Sequence, residues 1–255
     1  MGIDQLYEAW SAIPKADLTF WQDAYVKFYN AWFYEDRWMS YFKGLATTIQ
    51  VTVIALIIGV LLGLLVSTIR TAHDQQRPGH RNPFLGIVNA ICRVYVTVIR
   101  GTPMMVQLMI MGFAIFASSR DKTMVGALTL GINSGAYVAE IIRGGLMNLD
   151  PGQMEAGRSL GLGYLDTMRF IVIPQAFKAI LPALGNEFIV LLKDTSLISV
   201  VAGKEIVYFA KAIVTDTYEA MTPYLITAAM YLVLVLILTW LQNKLERRLR
   251  QSDRR

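Results

Sequence analysis

Residues 44–69 run from Gly44 to Ile69 without one charged side chain. A helix rises about 1.5 Å per residue, and the hydrocarbon core of a bilayer is about 30 Å thick. The run is long enough to cross it, and a stretch of that kind reads as a transmembrane helix. Apolar runs also occupy residues 84–116, 124–142, 174–192 and 223–241. Hydrophobic residues make up 55% of the 255-residue chain and the mean hydropathy is +0.43, toward the membrane end of the range.

The run 84–116 is long for one span and is interrupted by Arg100-Gly101-Thr102-Pro103. Proline disfavours a helical conformation at the residue before it, so a break is expected near Thr102. Read as two spans, the run gives six in total; read as an approach plus one span, it gives five. Charge decides. The loop 70–81 carries Arg70, Arg77 and Arg81 beside His73 and His80, and the tail carries Lys244, Arg247, Arg248, Arg250, Arg254 and Arg255. Five spans put both basic segments on one side, which the positive-inside rule makes cytoplasmic. The N-terminus is then outside, and 194–222 is an outer segment whose piece 196–202 is apolar enough to dip back into the membrane. The net charge of +5 is accordingly a topology signal and not a nucleic-acid-binding face.

Residues 1–42 hold Trp10, Phe20, Trp21, Tyr25, Phe28, Tyr29, Trp32, Phe33 and Trp38 at roughly helical spacing, studded with acids. The reading is an interfacial amphipathic helix on the outer face, with a flexible extension as the alternative. A cleavable signal peptide needs an early basic region and a continuous apolar stretch, and the segment has neither. The domain plan is an aromatic extension over 1–42, a permeation domain over 43–246 and a basic cytoplasmic tail over 247–255.

The polar stretch 150–174, DPGQMEAGRSLGLGYLDTMRFIVIP, lies between the third and fourth spans. Asp150 suits an N-cap, Pro151 the first helical position, and Gln153 the closing of a capping box. A helix starting there runs to about Leu160 and stops at Gly161 or Gly163, too short to cross a bilayer. A second piece over 164–173 leads to Pro174. Small Ala156, Gly157 and Ser159 let another protein's surface approach, with Glu155 and Arg158 offering charge. From spacing alone, an ordinary inter-span loop remains open.

Glu155-Ala156-Gly157, then Gly161, then nine residues, then Ile171-Val172-Ile173-Pro174 resembles the EAA loop in membrane subunits of bacterial ATP-driven importers. Gly157 stands where that family has its second alanine, and Ile173 where it has leucine. Arg100-Gly101-Thr102-Pro103, the stretch from Ala136 to Gly145 and Leu192-Lys193-Asp194-Thr195-Ser196-Leu197 resemble the polar amino-acid branch. The resemblance implies an all-α polytopic fold of the type I ABC importer kind, with about five transmembrane helices and a cytoplasmic coupling helix. It implies a permease subunit in the bacterial inner membrane, working with two ATPase subunits, a second permease identical or homologous to it, and an external substrate-binding protein. ATP and Mg would be held by the ATPases, with no cofactor on this chain. Glu155, Ala156, Gly157, Arg158, Leu160 and Gly161 are the expected coupling residues. A passive channel, a membrane scaffold, or an importer for another small solute such as an opine are the alternatives.

Two small-residue stripes recur at every fourth position, Ala55-Gly59-Gly63-Ser67 and Ala127-Gly131-Gly135-Ala139. They are read as helix packing within one subunit in preference to a dimer seam. Polar groups inside the spans are costly and face a partner or a wet path. Glu187 and Asn186 in the fourth span, Asn133, Ser134 and Tyr137 in the third, and Gln107 in the second are candidates for contacting an amino acid. Interhelical hydrogen bonding is the other reading of each. Glu140 and Arg143 read as a local ion pair.

Catalytic signatures are missing. Gly203-Lys204 continues into Glu205 where a phosphate-binding loop would need a hydroxyl residue, so ATP hydrolysis is not expected on this chain. The single cysteine, Cys92, excludes an internal disulfide and a paired-cysteine metal site.

Overall fold

A computed structural model describes residues 2–76, 82–150 and 152–251, the side chains of 250 and 251 excepted. Among these, five helical stretches are long and apolar enough to cross a membrane: Tyr34–Asp74, Pro83–Gly101, Lys122–Met147, Tyr164–Val201 and Met221–Leu249. The all-α, five-span expectation therefore holds. Arg77, His80, Arg81, Pro151, Arg254 and Arg255, on which part of the charge and capping argument rests, lie outside the described residues.

The chain opens with α1 (Ile3–Ser11) and α2 (Phe20–Trp32). These are two helices rather than the single one expected, folded against each other through stacked Tyr7 and Tyr29, whose ring centroids are 4.2 Å apart. Tyr7 also donates a 3.0 Å hydrogen bond to Asn30. Glu35 and Asp36 both adopt positive φ, turning the chain into α3 (Arg37–Asp74). That helix starts before the apolar run and continues past it, carrying the chain across residues 42 and 43 without a break.

The core is the packing of α3 on α6 (Lys122–Met147). The two small-residue stripes meet here. A Cβ on Gly59 would lie 2.8 Å from Ser134 Oγ, and one on Gly131 would lie 2.6 Å from Ile58 Cβ. Further along, a Cβ on Gly63 would sit 2.5 Å from Val138. Residue numbers rise together on both helices, so they run parallel. Without a hydrophobic drive inside lipid, such close backbone approach is what holds spans together. Intrachain packing is the reading that survives.

Helix α4 (Pro83–Gly101) runs antiparallel to α6, with Cys92 and Val96 buried against Ala136 and Ala139. Thr102 is extended (φ −118, ψ 146), and α5 (Met104–Met109) restarts after Pro103 and passes into a π-helix over Ile110–Ile115. The break expected at Thr102 is present. Lys122 closes the far end, donating to the carbonyls of Gly112 and Phe116 at 2.7 and 2.8 Å.

After α7 (Gly152–Ser159) and the short α8 (Tyr164–Thr167), a π-helix over Met168–Val172 leads directly into α9 (Ile173–Asp194). The sequence reading divided this stretch at Pro174, but the helix continues. Pro174 sits at the start of α9, and the wide π turn before it accommodates the missing N–H. A 3-10 segment (Thr195–Val201) follows, with Ile198 and Val201 buried. Its Ile198 packs with Leu108 and Ala127, so this irregular apolar piece is covered by protein. Helix α10 (Ile206–Thr217) packs on the start of α3, and α11 (Met221–Gln251) runs antiparallel to α9.

Spans α4, α6, α9 and α11 thus alternate in direction while α3 parallels α6. The C-terminal ends of α3 and α11, together with α7 and α8, gather at one end of the bundle. The N-terminal hairpin and α10 occupy the other.

Candidate functional site

Two places carry the polar residues singled out in the sequence: the knuckle at one end, and the middle of α6. The knuckle starts where Asp150 Oδ1 accepts from the Gly152 amide at 2.8 Å, as a capping aspartate does. Gln153 does something other than close a capping box. Its carboxamide oxygen accepts from Gln175 Nε2 at 2.9 Å, tying α7 to the first turn of α9. The helix ends in a Schellman arrangement: Leu162 N–H bonds Gly157 O at 3.0 Å, and Gly161 N–H bonds Arg158 O at 2.9 Å. Gly161 has φ +80, a conformation glycine adopts freely and side-chain-bearing residues do not.

The small size of Gly157 suggests room for another protein, and the structure corrects this. It is buried, and a Cβ there would lie 2.5 Å from Thr167 Cγ2. The space is filled from within the chain, so α7 and α8 cross at Gly157 and Thr167. Glu155, Ala156, Arg158, Ser159 and Gly161 remain exposed, and Leu160 and Leu165 project outward at 77% and 78% exposure. Tyr164 joins the knuckle to α3, donating to Gln75 Oε1 at 2.5 Å. The knuckle therefore has direct bonds to two spans, through Gln153 of α7 and Tyr164 of α8, and an uncovered apolar outer edge.

In the middle of α6, the candidates fall into separate groups. Ser134, fully buried, donates to Glu187 Oε1 at 2.7 Å, joining α6 to α9. Asn133 donates to Gln107 Oε1 at 3.0 Å. Gln107 in turn donates to Ile99 O and Thr102 Oγ1, both at 2.8 Å. Its amide thus serves the broken helix on one side and α6 on the other. Tyr137 lies one turn along from Asn133, with the Arg100 guanidinium 5.3 Å above its ring. A cleft of about 240 Å³ opens beside the break, lined by Thr102, Val106, Gln107 and Thr129 among others. Asn186 is exposed on α9 and, among the described residues, joins neither hydrogen-bonded pair.

Three features escaped the sequence reading. Glu140 pairs not only with Arg143, at 2.9 Å, but also with Arg70 from α3. The ion pair is therefore an interhelical clamp, which local i, i+3 spacing could not reveal. Arg100 was seen only as part of a motif, without its stacking partner. Glu205, noticed only for spoiling a phosphate loop, is fully buried and caps α10 by accepting from the Val207 and Tyr208 amides, both at 2.9 Å. Tyr231 adds a 3.1 Å hydrogen bond. Burial pushes the Glu205 carboxyl up to about 7.

A bundle of five apolar helices with a capped helical knuckle at one end and a polar, interrupted middle defines a multi-span membrane transport subunit. The family model for the binding-protein-dependent transport system inner membrane component matches residues 82–251, and the chain belongs to that family. It is 36% identical over 214 residues to the arginine transport system permease protein ArtQ of Bacillus subtilis, covering 83% of this chain and 93% of that one. It is 35% identical over 213 residues to the glutamine transport system permease protein GlnP of Escherichia coli K12, with 82% and 92% covered. A solved structure described as an amino acid ABC transporter with histidines matches at TM-score 0.73 and 40% identity, over 82% of this chain and 94% of that one.

Proposed function

We propose that this chain is the permease subunit of an ATP-binding-cassette importer that carries a polar or charged amino acid across the bacterial inner membrane. The observation carrying the coupling part is the knuckle itself. A helical knuckle that is capped, closed by Gly161 and hydrogen-bonded to α9 through α7 and to the end of α3 through α8 is built to move with them as a unit. In this reading a pair of cytoplasmic ATPases holds ATP and Mg and docks on Glu155, Ala156, Arg158, Leu160 and Gly161. Their closure pushes α7, and the packed spans shift between discrete inward- and outward-open arrangements. A second permease, identical or homologous, completes the path, and an external binding protein delivers substrate. Coupling requires that the free energy of each ligand differ between those two states.

Substrate contact is assigned to Glu187 with Ser134 and to the Asn133, Gln107 and Tyr137 face. Gln107 acts there chiefly by shaping the break, and Asn186 lines the path beside Glu187. The basic tail and the knuckle face the cytoplasm, and the N-terminal hairpin lies outside.

The test uses the assembled complex in proteoliposomes, scanned with a panel of labelled amino acids. Glu155→Lys and Gly161→Asp should abolish uptake while leaving membrane insertion intact and ATP hydrolysis no longer tied to transport. Wild-type uptake in both variants overturns the docking assignment. For orientation, Ser159→Cys should react with a membrane-impermeant thiol reagent only after cells are opened; labelling from outside intact cells reverses the topology.

A further inference from the structure

We propose that Arg100 is the residue on this chain that takes the α-carboxylate of the translocated amino acid, an assignment that rests on the permease reading above. Its depth is set by packing. Tyr95 donates to Ile132 O at 2.5 Å and Gln107 meets Asn133, so the end of α4 lies beside the middle of α6. The Arg100 guanidinium, stacked 5.3 Å above Tyr137, is at that same level.

Arginine is costly at mid-membrane unless it is paired or faces water. Arg70 and Arg143 share Glu140, and Arg93 meets Asp74 at 3.6 Å. Among the described residues no carboxylate lies within ion-pair distance of Arg100, which is exposed. The attraction of a tyrosine face is smaller than the cost of placing arginine in hydrocarbon. A second, independent observation lies at the same point. The backbone of Gly101 and Thr102 is exposed where the helix breaks, and a Cβ on Gly101 would meet nothing within 4 Å. Open, irregular backbone at this depth is tolerated only on a wet path or under protein. Broken helix and unpaired cation therefore mark one wet site.

The chemistry of its ligand follows from the guanidinium. Its place over the Tyr137 ring leaves N–H groups of the planar guanidinium to donate, the fork that binds a carboxylate in two parallel hydrogen bonds. Every amino acid presents that group whatever its side chain, so Arg100 supplies recognition common to the class.

The experiment uses the complex of permease and ATPase in lipid nanodiscs without binding protein, so that the permease alone selects. Labelled L-arginine and L-glutamine are compared with their α-carboxamides. Wild type should bind the acids at least tenfold more tightly than the amides. In Arg100→Gln that ratio should fall to about one, and in Arg100→Lys, which keeps charge without the fork, it should be intermediate. The assignment is overturned if Arg100→Gln keeps the wild-type ratio, or if wild type does not distinguish acid from amide. It is also overturned if the variant separates the permease pair on size exclusion, which would make Arg100 an interface residue. Wild-type proteoliposomes with the binding protein that accumulate no amino acid at all would instead refute the permease reading itself.

Discussion

The carbonyl oxygen of Ile99 and the side-chain amide of Gln107 are joined by a 2.8 Å hydrogen bond. In an unbroken helix the partner of Ile99 O would be the N–H of residue 103, which is proline and has none. Gln107 supplies the missing donor from a turn further on. At membrane depth a carbonyl without a partner costs several kcal/mol, so the break and the glutamine are one device.

Replacing Gln107 with Leu should therefore lower stability by about 1–2 kcal/mol, read as a reduced thermal midpoint of the purified complex in detergent. Adding Pro103→Ala returns an N–H to the chain and should recover part of the loss. Strictly additive effects would show that the two residues act separately.

At the knuckle, a methyl on residue 157 would be 2.5 Å from Thr167 Cγ2 and 2.6 Å from its Oγ1. Gly157→Ala should force α7 away from α8, costing about 1–3 kcal/mol locally and lowering uptake severalfold. With Thr167→Ala in the same chain the nearest atom is the Cβ at 3.1 Å, and uptake should return. Uptake that stays low in the double variant would mean that residue 157 acts on something other than Thr167.

The Glu140 clamp holds the ends of α3 and α6 together through Arg70 and Arg143. Glu140→Gln leaves two half-buried guanidinium groups sharing a neutral acceptor and should cost about 1–3 kcal/mol. Arg70→Met on that background should recover part of it, because it removes a cation left without a counter-charge. Thermal unfolding of the wild type and the two variants decides the matter.

Glu187→Gln keeps an oxygen that can accept from Ser134 Oγ, now at 2.7 Å, and so should leave stability within about 0.5 kcal/mol. Only the charge changes. Uptake of cationic amino acids should fall relative to neutral ones, and unchanged uptake of every amino acid would reduce Glu187 to a packing residue.

Glu205 introduces a pH dependence of definite sign. Its carboxyl is raised to about 7 in the folded chain from an ordinary value of 4.5. Stability associated with its proton is fully present below about 4.5 and is lost as pH rises through about 7, by on the order of 1–3 kcal/mol. Thermal midpoints should fall over that window in wild type and fall less in Glu205→Gln. Equal slopes would remove Glu205 as the cause.

The spans, the break before Pro103 and the knuckle were legible because each depends on local chemistry. Lipid demands long apolar helices, proline removes a donor, and glycine ends a helix at positive φ. The small-residue stripes were legible as packing faces, but their mutual contact was not. The start of the fourth span at Pro174 was legible to within a residue, but not the π-helix that joins it to the piece before, nor the way Tyr7 and Tyr29 fold one expected helix of residues 1–42 into a hairpin.

By itself the chain's order of residues determined how many times it crosses, where it bends and where its short end helix starts and stops, because each of these is settled within a few turns of backbone. Only the tertiary structure decided that Gly157 is filled by Thr167, that Arg70 reaches Glu140, and that Arg100 lies over Tyr137 at the level of the break. Those contacts join positions on different helices, and their geometry depends on how the helices are rotated and staggered. That is set by the summed close packing of α3 on α6, which no local pattern encodes.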